Sequence, residues 1–179
     1  MASIACLGWG SLIWNPKDLR VEKPWFKDGP AVHVEFLRQS NDDRITLVLD
    51  ESAGPVPSLW AKMTTEDIAE AVASLRVREE THERNIGVWK TGDSAPRLIS
   101  DLPGWAGIHD LDAVIWTNLR RKFGECEGPA TADQVISHFR RLTGETLKNA
   151  EEYVRRAPPQ INTAYRETIV KTLGWEYKS

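Results

Sequence analysis

The chain of 179 residues contains two cysteines, Cys6 and Cys126. That is too few for a disulfide scaffold and fits a reducing compartment. Neither cysteine stands at a metal-ligand spacing from any of the four histidines, so no metal is expected. No apolar run approaches the roughly 20 residues that a membrane-spanning helix needs. No basic segment followed by a long apolar one stands near Met1, so neither a leader nor a membrane association is expected and the cytoplasm is the default compartment. Charge of either sign is not in excess: 23 Lys and Arg stand against 26 Asp and Glu, a net charge of −3. A broad nucleic-acid-binding face is therefore not implied. Internal repeats, low-complexity segments and linkers are also missing.

What remains is the composition of an ordinary globular protein, 41% hydrophobic and 27% charged. The length suits one domain over residues 1–179 with a sizeable core. Eight tryptophans are many for this size. Their amphipathic rings can line a pocket or an interface, but core filling accounts for most of them more simply.

The first two-thirds reads mainly as strands. Ile4 to Leu7 is a short apolar run. Ala31 to Arg38 and Arg44 to Asp50 alternate apolar and polar residues, with Asn41-Asp42-Asp43 as the turn between them. Pro57 to Met63, Ile86 to Lys90 and Asp112 to Leu119 are further strands. A helix begins near Thr64, where Thr64-Thr65-Glu66-Asp67 resembles a capping box, and Ile68, Val72 and Leu75 mark its apolar stripe. The last third is helical. Thr131 caps a helix with Val135, Phe139 and Leu142 inward and Gly144 closing it. A second helix carries Leu147, Ala150, Val154 and Ala157 up to Pro158-Pro159, and a third carries Ile161, Ala164, Tyr165, Thr168 and Ile169 up to Gly174. The expected class is α+β, a mixed sheet or small β-barrel of about five to six strands packed with helices.

The most informative stretch is Leu7-Gly8-Trp9-Gly10-Ser11-Leu12-Ile13-Trp14-Asn15-Pro16. Glycines flanking one aromatic at a strand end describe a tight loop. Glycine allows φ > 0 and removes the Cβ that holds a ligand away. Successive N–H groups in such a turn form a small anion-binding concavity. A glycine turn that only corners the sheet is the plainer alternative. The spacing is too short for a phosphate P-loop, and no helix-opening third glycine makes it a dinucleotide fingerprint. Ser11 lacks the nearby base that a nucleophile needs.

Glu79 is the strongest candidate for chemistry. The apolar positions 68, 72 and 75 place the next residue of the same helical face at 79. A carboxylate on that inward line, with Glu80 one step round toward solvent, has its charged form disfavoured by burial, as a general acid/base at neutral pH requires. The alternative is a helix that frays near Arg78 and leaves Glu79 on the surface or paired with Arg76 or Arg84.

These two segments resemble the γ-glutamyl cyclotransferase-like proteins, closest to the ChaC-type branch. Leu7 to Pro16 is similar to that family's GYGSLIWxP signature, and Leu75-Arg76-Val77-Arg78-Glu79 to its Leu-x-x-Arg-Glu segment. The resemblance implies a γ-glutamyl cyclotransferase-like fold in which Glu79 is the catalytic acid/base. It implies that Gly10, Ser11 and Leu12 bind substrate, with Trp9 where the family usually has tyrosine. Arg38 and Ser40 fall where related sequences place an arginine and a serine after the second strand, which implies substrate binding, with Arg38 taken as the further binder and a solvated strand end as the alternative. Glu80 to Ile86 departs from the family, which has glycines and a tyrosine directly after the glutamate. The activity implied is a lyase that releases 5-oxoproline from a γ-glutamyl peptide or amine such as glutathione, with no cofactor. The partner is a small-molecule substrate, not nucleic acid or membrane, and a homo-oligomer is left open. The competing reading is a non-catalytic module on the same fold that binds a small ligand or a protein, favoured by Trp9 and the altered segment after Glu79.

Weaker candidates have plain structural accounts. His138 beside an apolar stripe reads as a satisfied core-edge histidine, Tyr153 and Tyr165 as core residues. The run Asn118 to Lys122 reads as a solvated basic face, with anion binding as the alternative.

Overall fold

The apolar run at the N-terminus forms β1 (Ile4–Gly8), buried at every position, in the computed structural model, which describes residues 1–179. Burial on both faces is what an uninterrupted apolar run implies for a strand inside a sheet. The chain continues through β2 (Ala31–Gln39), β3 (Ile45–Leu49), β4 (Pro55–Pro57) and β5 (Leu59–Lys62) to α1 (Ile68–Arg78). A 3₁₀ turn at Glu83–Asn85 leads into β6 (Ile86–Lys90), followed by α2 (Leu102–Ile108) and β7 (Ala113–Thr117). Then come α3 (Ala132–Arg141), α4 (Gly144–Arg156) and α5 (Ala164–Leu173). The class is α+β, with a four-stranded mixed sheet ordered β5-β1-β7-β6 and a three-stranded sheet ordered β3-β2-β4. No helix is long and apolar enough to cross a membrane.

Backbone contacts divide the chain into two compact units, each made from two separated stretches. The first comprises Met1–Val32 and Pro57–Leu119, the second His33–Val56 and Arg120–Ser179.

In the first unit β1 runs antiparallel to β5 and parallel to β7, and β7 pairs antiparallel with β6. Alternation along the strands puts Ile4 and Cys6 of β1, Ala113 and Ile115 of β7 and Ile86 of β6 into one core cluster. Ala71, Val72 and Leu75 of α1 cover it, together with Leu12 and Leu19 from the segment after β1. Helix α1 starts three residues later than the Thr64 signal suggests. Asp67 is its N-cap, accepting from the N–H groups of Ala69 at 2.7 Å and Glu70 at 3.2 Å, and the Thr65 hydroxyl accepts from the Asp67 N–H instead of capping the helix. An ionised acceptor that serves two orphan donors outcompetes a threonine hydroxyl.

Helix α2 has no counterpart among the expected elements, because Leu-Pro-Gly-Trp-Ala-Gly-Ile is poor in helix formers. Tertiary contacts override propensity: Leu102, Trp105 and Ala106 are buried, and the Trp105 indole donates to the Asp28 carbonyl at 2.7 Å. Gly87 of β6 lies opposite Trp116 of β7, whose indole is 2.1 Å from where a Cβ on Gly87 would be. Six of the eight tryptophans are buried, which bears out core filling for most of them.

In the second unit β2 and β3 form an antiparallel hairpin across Asn41 to Asp43, with Asp43 left-handed at φ 62°. Thr131 caps α3 as expected, forming a capping box with Gln134. Phe139, Val154 and Ile169 are buried, whereas Leu142 is only half-buried. Leu142 is the C-cap of α3 with extended backbone, so it leaves the inward stripe. Gly144 does not close α3: it is the first residue of α4, at φ 60°. Aromatic contacts join the elements, Phe36 edge-on to Tyr153 at 6.3 Å and Phe139 against Trp175 at 4.8 Å.

Candidate active site

Two segments of the first unit carry the candidate residues. The loop after β1 buries Trp9, Gly10 and Leu12 and leaves Ser11 half-buried. It closes on itself through the Ile13 N–H to the Gly10 carbonyl at 3.1 Å and the Asn15 N–H to the Ser11 carbonyl at 2.8 Å. These bonds leave the N–H groups of Gly10, Ser11 and Leu12 unused. Gly8 does not serve the loop through positive φ, as its place in the motif suggests. Its role is space, since the Trp25 ring comes within 2.7 Å of the Cβ position.

The second segment is the C-terminus of α1. The helix ends at Arg78, and Glu79 is its C-cap at φ −84° and ψ −4°. The Glu79 N–H still reaches the Leu75 carbonyl at 2.9 Å, so the residue keeps the helical phase one step past the last helical position. The helix ends at Arg78 without fraying, and the Glu79 side chain is only 14% exposed. Glu80 turns away into a left-handed conformation at φ 50°, with its side chain 78% exposed.

Arg78 ties the two segments together. Its Nη1 donates to Glu79 Oε1 at 2.8 Å, its Nη2 to Ser11 Oγ at 3.1 Å and to the Asn15 carbonyl at 2.7 Å, and its Nε to that same carbonyl at 3.2 Å. The candidate acid/base and the turn that follows the glycines thus meet on one guanidinium. The Cys6 thiol is fully buried beside them. Burial pushes its pKa up, the Glu79 charge adds to this, and Arg78 opposes it. A thiol held neutral is neither nucleophile nor metal ligand. No group of three or more His, Cys, Asp or Glu side chains is arranged to hold a metal ion. What the site offers is one proton-accepting carboxylate, a cation that holds it, and unused backbone donors on the adjoining loop.

The remaining candidates lie in the second unit. Arg38 follows an irregularity in the pairing of β2 with β3, and its Nη1 donates to the Arg120 carbonyl at 2.7 Å. Burial holds its guanidinium below the usual arginine range. The Ser40 hydroxyl is used in the hairpin, donating to Asp42 at 2.5 Å. His138 is a buried histidine that meets the Asp43 carbonyl at 2.8 Å. The Tyr153 hydroxyl accepts from the Leu47 N–H, and the Tyr165 hydroxyl donates to the Ala130 carbonyl. Arg121 is ion-paired with Asp50 at 2.9 Å, so the basic run is not merely a solvated face. The residue that sequence reasoning left without a role is Arg78. Its signal was adjacency to Glu79, but neighbours in a helix point apart, and only the end of α1 lets the two meet.

No family model and no curated protein matches the sequence. In structure the chain is similar to a γ-glutamyl cyclotransferase specific to glutathione from yeast. Identity is 16% over 97% of this chain and 98% of that chain, with a TM-score of 0.50. At this identity the likeness concerns the fold, which it shares with the resemblance carried by the loop and by Arg78-Glu79.

Proposed function

We propose that the protein is a γ-glutamyl cyclotransferase-type lyase, with Glu79 as its acid/base. The substrate's α-ammonium gives a proton to the Glu79 carboxylate. The freed amine nitrogen attacks the γ-amide carbonyl carbon, forming the ring C–N bond. As the amide C–N bond breaks, Glu79 returns the proton to the departing nitrogen, and the second proton of the ring nitrogen passes through the same carboxylate to that amine, so the products are neutral-lactam 5-oxoproline and the amine or peptide as its ammonium. Donor and acceptor lie in one molecule, so the protein's task is to fold the γ-glutamyl chain into attack geometry and carry protons from the attacking nitrogen to the departing one. The unused N–H groups of Gly10, Ser11 and Leu12 are suited to the substrate's α-carboxylate. Trp9 is part of this loop.

The observation that carries the proposal is the mostly covered Glu79 carboxylate, joined through Arg78 to the loop that bears those donors. The fold likeness supports it, and because that neighbour is specific to glutathione, glutathione is the first compound to assay. Purified protein incubated with glutathione and a panel of γ-glutamylamines should release 5-oxoproline. Tight binding of one of these compounds with no release would favour the binding-module reading instead.

A further inference from the structure

We infer that Arg78 is a positioning residue that sets the Glu79 carboxylate against the Ser11 loop; this rests on the reading of Glu79 as acid/base. Adjacent residues on a helix do not face each other, so an Arg78–Glu79 contact is not what periodicity supplies. It exists because α1 stops at Arg78, Glu79 takes the C-cap conformation, and the chain turns left-handed at Glu80. The arginine side chain is only 9% exposed. A guanidinium so far out of water costs free energy unless its donors are used, and three of its nitrogens are: Nη1 on Glu79, Nη2 on Ser11 and Asn15, Nε on Asn15.

The shape of the group decides what these bonds do. A guanidinium is planar with donors in a fixed fork, so holding the Ser11 hydroxyl and the Asn15 carbonyl fixes the direction of Nη1, and Nη1 fixes Glu79 Oε1. Ser11 and Asn15 are also the two ends of the turn closed by the Asn15 N–H. One side chain therefore sets the turn that offers backbone donors and aims the carboxylate that moves the proton. A lysine keeps the charge but presents a single nitrogen and cannot span the same acceptors.

The test is a double-mutant cycle on 5-oxoproline release from whichever γ-glutamyl compound the wild type turns over. Arg78→Lys should lower kcat about 10- to 100-fold, the scale of a misplaced catalytic group, with a smaller change in KM. Introduced into Glu79→Gln, the same change should cost no more than about two-fold, because a residue that acts through Glu79 has nothing left to position. Ser11→Ala, which removes one anchor and keeps the backbone, should give a smaller kcat loss that also vanishes in Glu79→Gln; it serves if Arg78→Lys does not fold. Losses that multiply in the double variants, or a KM rise at unchanged kcat, overturn the positioning role while leaving the lyase reading intact. Wild-type protein that releases no 5-oxoproline overturns the lyase reading and the role of Arg78 with it.

Discussion

Lys17 donates to Glu80 at 2.9 Å, and the two residues share an unusual backbone, left-handed at φ 49° and φ 50°. Lys17 lies just past the glycine loop and Glu80 just past Glu79, so the contact joins the far ends of the segments that Arg78 joins at their near ends. Lys17 holds the Glu80 carboxyl below its usual range. Glu80 is thus an ionised surface carboxylate with a partner, while its neighbour Glu79 is mostly covered.

That contrast separates the two glutamates experimentally. Glu79→Gln keeps size and shape but cannot carry a proton, and turnover should fall about 100-fold or more, in line with general acid/base contributions. Glu80→Gln should leave turnover within about two-fold, since exposed ion pairs contribute little. Steady-state rates of 5-oxoproline release check both. A dead Glu80→Gln with an active Glu79→Gln would move the chemistry to Glu80 and overturn the reading of Glu79.

Glu35 gives a pH signature in the second unit. Its carboxyl is 3% exposed and accepts from the Thr163 hydroxyl at 2.5 Å, the Phe36 N–H at 2.9 Å and the Tyr165 N–H at 3.2 Å. Burial raises its pKa above 4.5, with these bonds opposing. A folded-state value above the unfolded one means that the native state holds more protons between the two, so this contribution is full below 4.5 and is lost as pH rises through the folded value. Urea midpoints of wild type relative to Glu35→Gln should therefore fall from about pH 5 to about pH 8. A relative stability that rises over this range would contradict the direction.

The two cysteines should behave oppositely. Cys6 is buried with its thiol held neutral, and Cys126 is exposed. Native protein treated with a thiol-alkylating reagent should take up one label, on Cys126, and unfolded protein two. Peptide mass spectrometry locates the label. Fast labelling of Cys6 in native protein would show that the α1 face of the sheet opens.

The fold was legible where apolar period and caps agreed. β1, β6 and β7 follow their apolar runs, and the Thr131–Gln134 box opens α3 where the letters place it. The cover over the Glu79 side chain was legible because a stripe at 72 and 75 extrapolates to 79, even though the helix itself ends at 78. Helix α2 was not, because its Pro and Gly argue against helix and only the Trp105 contacts reveal why it forms. Arg78 was not either. Its use depends on two carbonyl and hydroxyl acceptors more than 60 residues earlier in the chain, which no local pattern encodes.

Arg166 offers a test of what holds the C-terminal helices. It is 4% exposed, and its guanidinium donates to four backbone carbonyls: Pro158 at 2.6 Å, Ala157 at 2.6 Å, Ile161 at 3.0 Å and Val154 at 3.3 Å. Val154 lies in the last turn of α4, Ala157 is its C-cap, and Pro158 removes any chance of continuing the helix. The carbonyls at the end of α4 have no helical N–H to accept from, whereas that of Pro158 also accepts from the Ile161 N–H at 2.9 Å, and a cation at a helix C-terminus also meets the negative end of the dipole. Arg166→Met keeps much of the volume but takes the arginine donors from the Val154, Ala157 and Ile161 carbonyls, at a cost of about 3 kcal/mol, the scale of a lost bond to a charged group with buried acceptors left behind. Arg166→Lys should recover only part of it, because one ammonium cannot reach four carbonyls spread from Val154 to Ile161. Chemical denaturation of the two variants measures the difference. A loss under about 0.5 kcal/mol for Arg166→Met, within the range of an ordinary surface change, would show that water replaces the arginine at this helix end.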